Sequence, residues 1–316
     1  MLVEEYAERV LRPAALGTDR DGVPERTVSD LRELGLLEPL AKDEERRVHE
    51  ILAGACLNTW LVWAQHARAV KLAPPGEMLL GVALSDVRRF PRGHVAAERD
   101  GDGWVFDGTV SWVSGWGLNE ALVIAGVTKE RAGMSGKRAV VTGLVPAGPG
   151  MTGTPLPLAA AGGSRTARVR LDRVRAQEVL DVTPLEDWLR ADAAGTADAK
   201  PHHFGLARTV LRELAGEPVA RHVAETWAPR VERLRRQAYA LTDADGEVAE
   251  RLRLRVEIGE ALSTLTRSLV VARAGRGLAL DDTAQLHARS ALFMLVQAQT
   301  AAVREAQLGS THLTRE

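Results

Sequence analysis

Few side chains of the sequence are arranged in a known catalytic pattern. Several common reaction classes lack the residues that they usually require. The chain has eight histidines and one cysteine. It has no His-x-x-x-His pair and no cysteine–histidine cluster, so the sequence predicts no metal site. It also lacks a Gly-x-Ser-x-Gly nucleophile motif. The glycine-rich turn 162–165 lacks the Lys-Ser/Thr pair of a phosphate-binding loop.

One pair of titratable side chains stands out, because His202 and His203 begin a predicted helix. A neutral imidazole can serve as a general base near pH 7. A histidine pair at the start of a helix can equally be an exposed pair without any chemical role. The sequence leaves both interpretations open.

Composition and charge narrow the class of protein. The 316 residues carry 41 basic and 42 acidic side chains, for a net charge of −1. Neither sign dominates, which disfavours a nucleic-acid or membrane-surface partner. The arginines mostly alternate with acidic residues, so we expect them on solvated helix faces. The single cysteine, Cys56, lies in an apolar run, which predicts a buried side chain and a reducing, cytoplasmic location. No apolar run is long enough to span a bilayer.

The middle of the chain shows the alternation of apolar and polar residues that is typical of strands. An Asp-Gly pair at 107–108 separates two alternating runs and predicts a β-hairpin turn. Glycines and prolines divide the rest into short segments. We expect strands at Val82–Leu84, His94–Glu98, Trp104–Phe106, Thr109–Val113, Ala121–Val127, Ala139–Val145 and Thr166–Leu171. Short strands at regular spacing predict a small antiparallel β-barrel or a sandwich.

Helical patterns occupy the regions on both sides of these strands. Near the N-terminus we expect a capped helix from Thr27 to Gly35 and a longer one from Arg46 to Val70. Beyond the strands we expect four helices at Phe204–Ala215, Val219–Thr242, Gly246–Ala274 and Thr283–Leu308. The sequence therefore predicts an α+β fold with three domains. They are an N-terminal helical domain over 1–77, a middle antiparallel β-barrel over 78–181 and a C-terminal four-helix bundle over 182–316.

Motifs of the middle region resemble those of a known family. Ser85-Asp86 stands where that family has Thr-Glu, although the Pro and Gly-Ser-Asp that normally follow are missing. Trp112-Val113-Ser114 stands where the family has Trp-Ile-Thr. The order of helices, strands and helices matches as well. The chain thus resembles the acyl-CoA dehydrogenase family of flavoproteins along its whole length.

C-terminal residues extend the resemblance and show where it fails. Gly275 and Gly277 correspond to the family's Gly-Gly-x-Gly turn, and Thr300 corresponds to the threonine of its Glu-Gly-Thr. This register puts Ala298 at the position of the catalytic glutamate. Some members keep that glutamate on an earlier helix, at the position of Gly195. The resemblance therefore implies a chain that has lost its catalytic base at both positions.

The resemblance also implies a reaction and a cofactor. Members of the family dehydrogenate an acyl thioester: a carboxylate removes the α-proton and FAD accepts the β-hydride. Acyl-CoA, or an acyl-carrier thioester, would be the substrate, and the protein would form a homo-oligomer or a hetero-oligomer with a homologue. By resemblance, the FAD-binding positions are Ser85, Trp112, Val113, Ser114, Gly275 and Gly277.

Three functions remain open on this basis. The chain is a flavoprotein oxidoreductase acting on or binding an acyl thioester, as a divergent enzyme or a partner subunit. Alternatively, it is a catalytically degenerate acyl-binding scaffold without redox turnover, or a flavin-dependent oxygenase. The resemblance favours the flavoprotein, whereas Ala298, the missing Gly-Ser-Asp and the absence of the family's Arg-x-x-Phe-Gly motif favour the scaffold. A shared fold does not decide among them.

Overall fold

A computed structural model describes residues 2–74, 76–129 and 138–310. Helices are found at both ends of the chain, and a sheet of eight strands lies between them. The helices are α1 Val3–Tyr6, α2 Arg12–Asp21, α3 Arg26–Glu33, α4 Lys42–Ala55, α5 Leu57–Ala69, α6 Leu185–Thr196, α7 Pro201–Gly216, α8 Arg221–Asp243, α9 Val248–Arg273, α10 Thr283–Val296 and α11 Ala301–Ser310. The strands are β1 Leu80–Ala83, β2 Ala96–Asp100, β3 Gly103–Val113, β4 Ala121–Thr128, β5 Ala139–Pro146, β6 Met151–Pro155, β7 Ala167–Arg175 and β8 Glu178–Pro184. In these described segments, no helix combines the length and apolar character needed to cross a membrane.

The sheet is mixed and open, so the prediction of an antiparallel barrel is wrong. Its strands follow the order β6-β7-β3-β2-β4-β5-β8, which leaves β6 and β8 at opposite ends of the described sheet. Strand β4 pairs in parallel with β1 near its start and with β2 near its end. Parallel pairs require a crossing connection rather than a tight turn, and alternation of side chains along a strand does not encode strand direction. The short, exposed strands β6 and β8 were also missed by the sequence analysis.

The predicted turn at Asp107-Gly108 is wrong, because β3 runs straight through it. The pairing of β3 with β7 shifts register between Phe106 and Gly108, so the pair forms a β-bulge. Gly108 has φ of +138°, and a Cβ there would lie 3.2 Å from the His94 carbonyl oxygen. The hairpin turn instead lies at Gly101-Asp102, because Asp100 pairs with Gly103 in the β2–β3 ladder. Both sites carry a Gly-Asp or Asp-Gly pair, and the sequence analysis chose the wrong one.

Helices from the two ends of the chain share one hydrophobic core. Trp60 and Trp63 of α5 lie in it with Leu206 of α7 and Leu262 of α9. Cys56 is buried as predicted, but its extended backbone separates α4 from α5, so the single helix expected from Arg46 to Val70 is wrong. The break lets α5 pack against both α4 and strand β1. The domain boundaries given above stay predictions.

The last predicted helix is also interrupted. Helix α10 ends at Val296 and α11 begins at Ala301, whereas the sequence predicted one helix from Thr283 to Leu308. Ala298, within the break, has φ of +50°, a left-handed conformation that is uncommon for residues other than glycine. Because no glycine or proline marks this break, its cause must lie in contacts with the rest of the chain.

Candidate functional site

A cavity of about 710 Å³ lies among α4, α5, β8, α6, the start of α7 and the α10–α11 break. This volume is in the range typical of small-molecule sites, roughly 300–1,000 Å³. We call it the central cavity. Its apolar lining includes Trp60, Ala64, Leu72, Leu84, Leu180, Trp188 and Ala191. Charged and polar side chains line the remainder, so the cavity suits a ligand with both apolar and ionic parts.

Gly195 and Ala298 both line the central cavity. Helix α6 brings Gly195 to the cavity, and the α10–α11 break brings Ala298. Nothing lies within 4 Å of the position that a Cβ on Gly195 would occupy, so this part of the lining is open. The two positions assigned to a catalytic carboxylate by resemblance therefore face one cavity, and neither carries a carboxylate.

Arg255 is a buried cation on the lining of this cavity, with only 3% of its surface exposed. It donates hydrogen bonds to the backbone carbonyls of Thr196 and Gln297, the latter at 2.6 Å. Its Nε has no hydrogen-bond partner in the described part of the chain. Burial lowers the pKa of Arg255 to about 10, so the guanidinium remains charged at neutral pH.

Arg255 differs from the other cations of the cavity in forming no direct salt bridge among the described residues. Six described lysines and arginines line the cavity, and the other five form salt bridges. The pairs are Lys42–Asp243, Arg46–Asp243, Arg68–Asp192, Lys71–Glu45 and Lys200–Asp198. No carboxylate of the described residues forms a salt bridge with Arg255. The charge of Asp198 nevertheless acts on Arg255 and opposes the lowering of its pKa by burial.

His202 also lines the cavity, and its Nε2 has no hydrogen-bond partner among the described residues. Its ring lies 4.3 Å from the Trp60 ring and 4.3 Å from the His203 ring, centroid to centroid. Both histidines are buried, so the interpretation as an exposed pair is wrong. Burial, together with nearby positive charge, holds the pKa of His202 well below its ordinary value and lowers that of His203 to about 3. Both rings are therefore neutral at pH 7.

Three of the four described acidic side chains that line the cavity form salt bridges, namely Glu45, Asp192 and Asp198. The fourth, Asp181, forms none among the described residues and accepts a hydrogen bond from the Thr183 hydroxyl. Asp198 accepts hydrogen bonds from Arg251 Nε at 2.6 Å and from Lys200 Nζ at 2.7 Å. Although burial raises it, these cations hold the pKa of Asp198 below its ordinary value. Asp192 is bound at 2.5 Å by the Nε of Arg88. Carboxylates in such ion pairs are poor proton acceptors, which disfavours them as substitutes for the missing base.

Comparison with known proteins places this geometry in a known fold. No family model and no curated protein matches the sequence. Solved structures match over nearly the whole chain. Butyryl-CoA dehydrogenase from Megasphaera elsdenii has a TM-score of 0.76 at 14% identity, covering 98% of this chain and 96% of that one. The chain has the acyl-CoA dehydrogenase fold.

Other proteins with the acyl-CoA dehydrogenase fold match as well. FkbI, for biosynthesis of the methoxymalonyl extender unit of the Fk520 polyketide immunosuppressant, has a TM-score of 0.77 at 17% identity and covers 99% of both chains. Nitrososynthase from Micromonospora carbonacea var. africana has a TM-score of 0.77 at 18% identity, covering 99% of this chain and 95% of that one. Identities this low establish the fold alone, and the names of these proteins show that the fold serves more than one function.

The triplet 112–114, which the resemblance assigns to the flavin, is occupied by contacts within the protein. Trp112 donates from Nε1 to Ser114 Oγ at 3.1 Å, and its ring stacks on Phe293 at 6.4 Å. Ser114 Oγ also lies 2.9 Å from Thr166 Oγ1 and is 1% exposed. Val113 is completely buried in the core of the sheet. These side chains lie outside the lining of the central cavity.

Ser85 and the turn that contains Gly275 and Gly277 lie in different parts of the structure. Ser85 begins a short 3-10 turn, and its neighbour Asp86 accepts hydrogen bonds from the backbone and hydroxyl of Ser111 at 2.7 and 2.6 Å. That contact brings Ser85 close to the chain segment that carries the 112–114 triplet. Gly275 and Gly277 lie in the turn between α9 and α10, away from the cavity lining. A Cβ on Gly277 would lie 2.9 Å from the Val270 carbonyl oxygen, so packing alone requires glycine there.

Sequence reasoning missed Arg255, which is central to the cavity. The prediction placed arginines on solvated helix faces, yet Arg251 and Arg255 are buried on the same face of α9 as Ile258 and Leu262. Successive residues of the set 251, 255, 258 and 262 are four, three and four positions apart, which follows the helical period. Arginine within the apolar stripe of a helix was therefore the available signal.

Proposed function

We propose that this chain binds an acyl thioester in the central cavity and lacks the carboxylate that would dehydrogenate it. The observation that carries the proposal is the pair Gly195 and Ala298, which line one cavity without a carboxylate at either position. The apolar side chains of Trp60 and Leu180 suit an acyl chain. The thioester is inferred from the fold shared with butyryl-CoA dehydrogenase. This is the acyl-binding alternative among the three functions considered above.

Proton abstraction at this site is poorly supported by the remaining groups. A general base must lie within hydrogen-bond reach of the proton and have a pKa suited to the task. The Nε2 of His202 has no hydrogen-bond partner, but the atom is enclosed and its lowered pKa makes it a weak base. Asp181 is exposed on β8, and its carboxylate is engaged by the Thr183 hydroxyl. Binding is therefore better supported than catalysis.

FAD, which the resemblance implies, does not fit the residues assigned to it. In flavoproteins of this type, FAD supplies hydride acceptance. Ser114 would have to present a free hydroxyl, but Trp112 and Thr166 already occupy it and its side chain is enclosed. We therefore derive no step through FAD. Flavin-dependent dehydrogenation or oxygenation is the alternative that the experiment below must reject.

Oligomerisation, through a second copy or a homologue, is a further part of the proposal. Two large apolar side chains, Leu292 and Val296, are exposed one turn apart on α10. Leu280, in the loop before this helix, is 85% exposed. Exposed apolar surface can mark a protein–protein contact. A cytoplasmic location stays a prediction based on the single cysteine.

Fluorescence titration and absorbance together test the proposal. Trp60 and Trp188 line the cavity, whereas Trp227 does not. We expect saturable quenching by butyryl-CoA in a colourless protein. The quenching should be smaller in the Trp188→Phe variant and unchanged in the Trp227→Phe control. Absence of saturable binding would reject the proposal. A yellow protein that bleaches with butyryl-CoA under anaerobic conditions would instead establish the flavin alternative.

A further inference from the structure

Lys200 is the least exposed of the three described lysines that line the central cavity. Its side chain is 37% exposed, against 61% for Lys42 and 56% for Lys71. It immediately precedes α7 and shares the cavity lining with Gly195 and Ala298. The cavity therefore contains one lysine that is largely shielded from bulk solvent and still accessible from the lining.

A single carboxylate contacts both Lys200 and a neighbouring arginine. Asp198 accepts a hydrogen bond from Lys200 Nζ at 2.7 Å through one oxygen and from Arg251 Nε at 2.6 Å through the other. Burial lowers the pKa of Lys200 from its ordinary 10.5, and the positive charges of Arg255 and Arg251 add to this effect, although Asp198 opposes it. A larger fraction of this amine is therefore uncharged near neutral pH than in a solvated lysine.

The histidines near Lys200 add no negative charge beside the amine. Lys200 acts electrostatically on His49, His202 and His203, and burial is the first cause that lowers the pKa of each ring. All three rings are neutral at pH 7. They do not favour the ammonium form of Lys200 as a further carboxylate would.

An uncharged lysine amine is a nucleophile, and enzymes activate lysine by desolvation or by a neighbouring cation. Both conditions hold at Lys200. The acyl thioester that we assign to this cavity has an electrophilic carbonyl carbon. Binding in one cavity would hold the two reactants at a high effective concentration, which favours their reaction over that of a lysine in solution.

We propose that Lys200 is a site of covalent acylation by the thioester bound in the central cavity. Its Nζ attacks the thioester carbonyl carbon, an amide N–C bond forms and the C–S bond to coenzyme A breaks. The ammonium group of Lys200 gives up two protons in all and the leaving thiolate takes up one, so one proton is released for each amide formed. The step needs no oxidant, reductant or further reactant. This inference rests on the proposed function and adds a modification site to the same cavity.

Peptide mass spectrometry of the protein incubated with butyryl-CoA near neutral pH tests the inference. We expect Lys200 to gain one butyryl group at least about tenfold faster than Lys42 or Lys71 in the same molecules, because these two side chains lie mostly in solvent. S-Butyl-CoA, a thioether without the electrophilic carbonyl, should compete for the cavity and suppress acylation of Lys200 alone.

Two variants provide matched controls. Lys200→Arg keeps a positive charge beside Asp198 and removes the primary amine, so the rapid gain in intact mass should be lost. Lys129→Arg changes an exposed lysine outside the cavity and should keep the rapid gain.

Competitive labelling of the wild-type protein with acetic anhydride at several pH values measures the amine without any thioester. We expect Lys200 to titrate at a lower pH than a solvated lysine, whose pKa is about 10.4.

The outcomes separate this inference from the proposed function. Saturable fluorescence quenching by butyryl-CoA without acylation of Lys200 would overturn the inference and leave thioester binding intact. Absence of both quenching and acylation would overturn both. Equal acylation of Lys42, Lys71 and Lys200 that S-butyl-CoA does not suppress would indicate reaction from solution and would overturn the inference. An ordinary lysine titration of Lys200 with acetic anhydride would overturn it as well.

Discussion

Arg255 donates a hydrogen bond from Nη2 to the backbone carbonyl of Gln297 at 2.6 Å. This contact caps the chain at the break between α10 and α11, one residue before Ala298. The same guanidinium also binds the carbonyl of Thr196 at the end of α6. One buried cation thus joins the two backbone segments that carry the empty base positions, and it provides a donor for a carbonyl at the α10–α11 break.

Restoring a carboxylate at residue 298 should not restore dehydrogenation. In the Ala298→Glu variant we expect the new side chain to enter the central cavity near Arg255. The Ser114 hydroxyl assigned to the flavin would remain occupied by Trp112 and Thr166. Anaerobic assays with butyryl-CoA and added FAD should therefore show no large gain over the wild-type protein. A large gain would refute the claim that more than the base has been lost.

Substitution of Ser114 should affect stability rather than ligand binding. Ser114→Ala removes the hydroxyl that contacts Trp112 and Thr166. We expect the free energy of unfolding in urea to fall by about 1–2 kcal/mol. Affinity for butyryl-CoA should change by less than about twofold, because distant sites act independently. Loss of bound FAD on this substitution would contradict our account, since it would mean that Ser114 holds the cofactor.

Contact between α4 and α7 depends on a glycine. A Cβ on Gly205 would lie 2.1 Å from the Glu50 carbonyl oxygen, so one helix would have to shift. We expect Gly205→Ala to reduce the free energy of unfolding by about 2–3 kcal/mol. The matched control is Gly17→Ala in α2, where nothing lies within 4 Å and helix propensity predicts a gain of about 0.5–1 kcal/mol. Equal effects of the two substitutions would argue against this packing.

Acid should destabilise the protein through its buried histidines. The pKa of His203 is lowered to about 3 from an ordinary 6.5, and that of His202 is also well below its ordinary value. Above pH 6.5 both histidine rings are neutral in the folded and in the unfolded protein, so they do not reduce the free energy of unfolding. Below it, the unfolded chain takes up protons that the folded chain does not. The free energy of unfolding should then fall by about 1 kcal/mol per pH unit for each histidine.

Urea unfolding between pH 6.5 and 5 measures this slope, in a window above the titration of most carboxyl groups. The His202→Gln variant should show a shallower slope than the wild-type protein, because one of the titrating rings has been removed. An unchanged slope would show that His202 binds protons equally in the folded and unfolded states.

Much of the architecture could be predicted from the sequence. The order of helices, strands and helices follows from local periodicity, and helices α7, α8 and α9 match their predicted spans closely. The direction of strands and the closure of the sheet could not be predicted, because they depend on pairing between distant segments. Asp107-Gly108 shows the limit: the pair has the composition of a turn, yet β7 pairs across it and makes it a bulge.

The candidate site was only partly predictable. Alignment to family motifs placed Gly195 and Ala298, and the structure brings these two positions to one cavity. The same reasoning missed Arg255, because a charged residue is normally assigned to the surface. It is buried since α9 packs on α7, α8, α10 and α11, an environment that no local pattern describes. Whether its Nε has a hydrogen-bond partner depends on the positions of the surrounding acceptors, and among the described residues it has none.

A crystal structure of the protein grown with butyryl-CoA tests the central claim most directly. We predict the acyl group in the central cavity, between Trp60 and Leu180 and against Gly195 and Ala298. Butyryl-CoA bound outside this cavity, or FAD occupying it, would contradict the account.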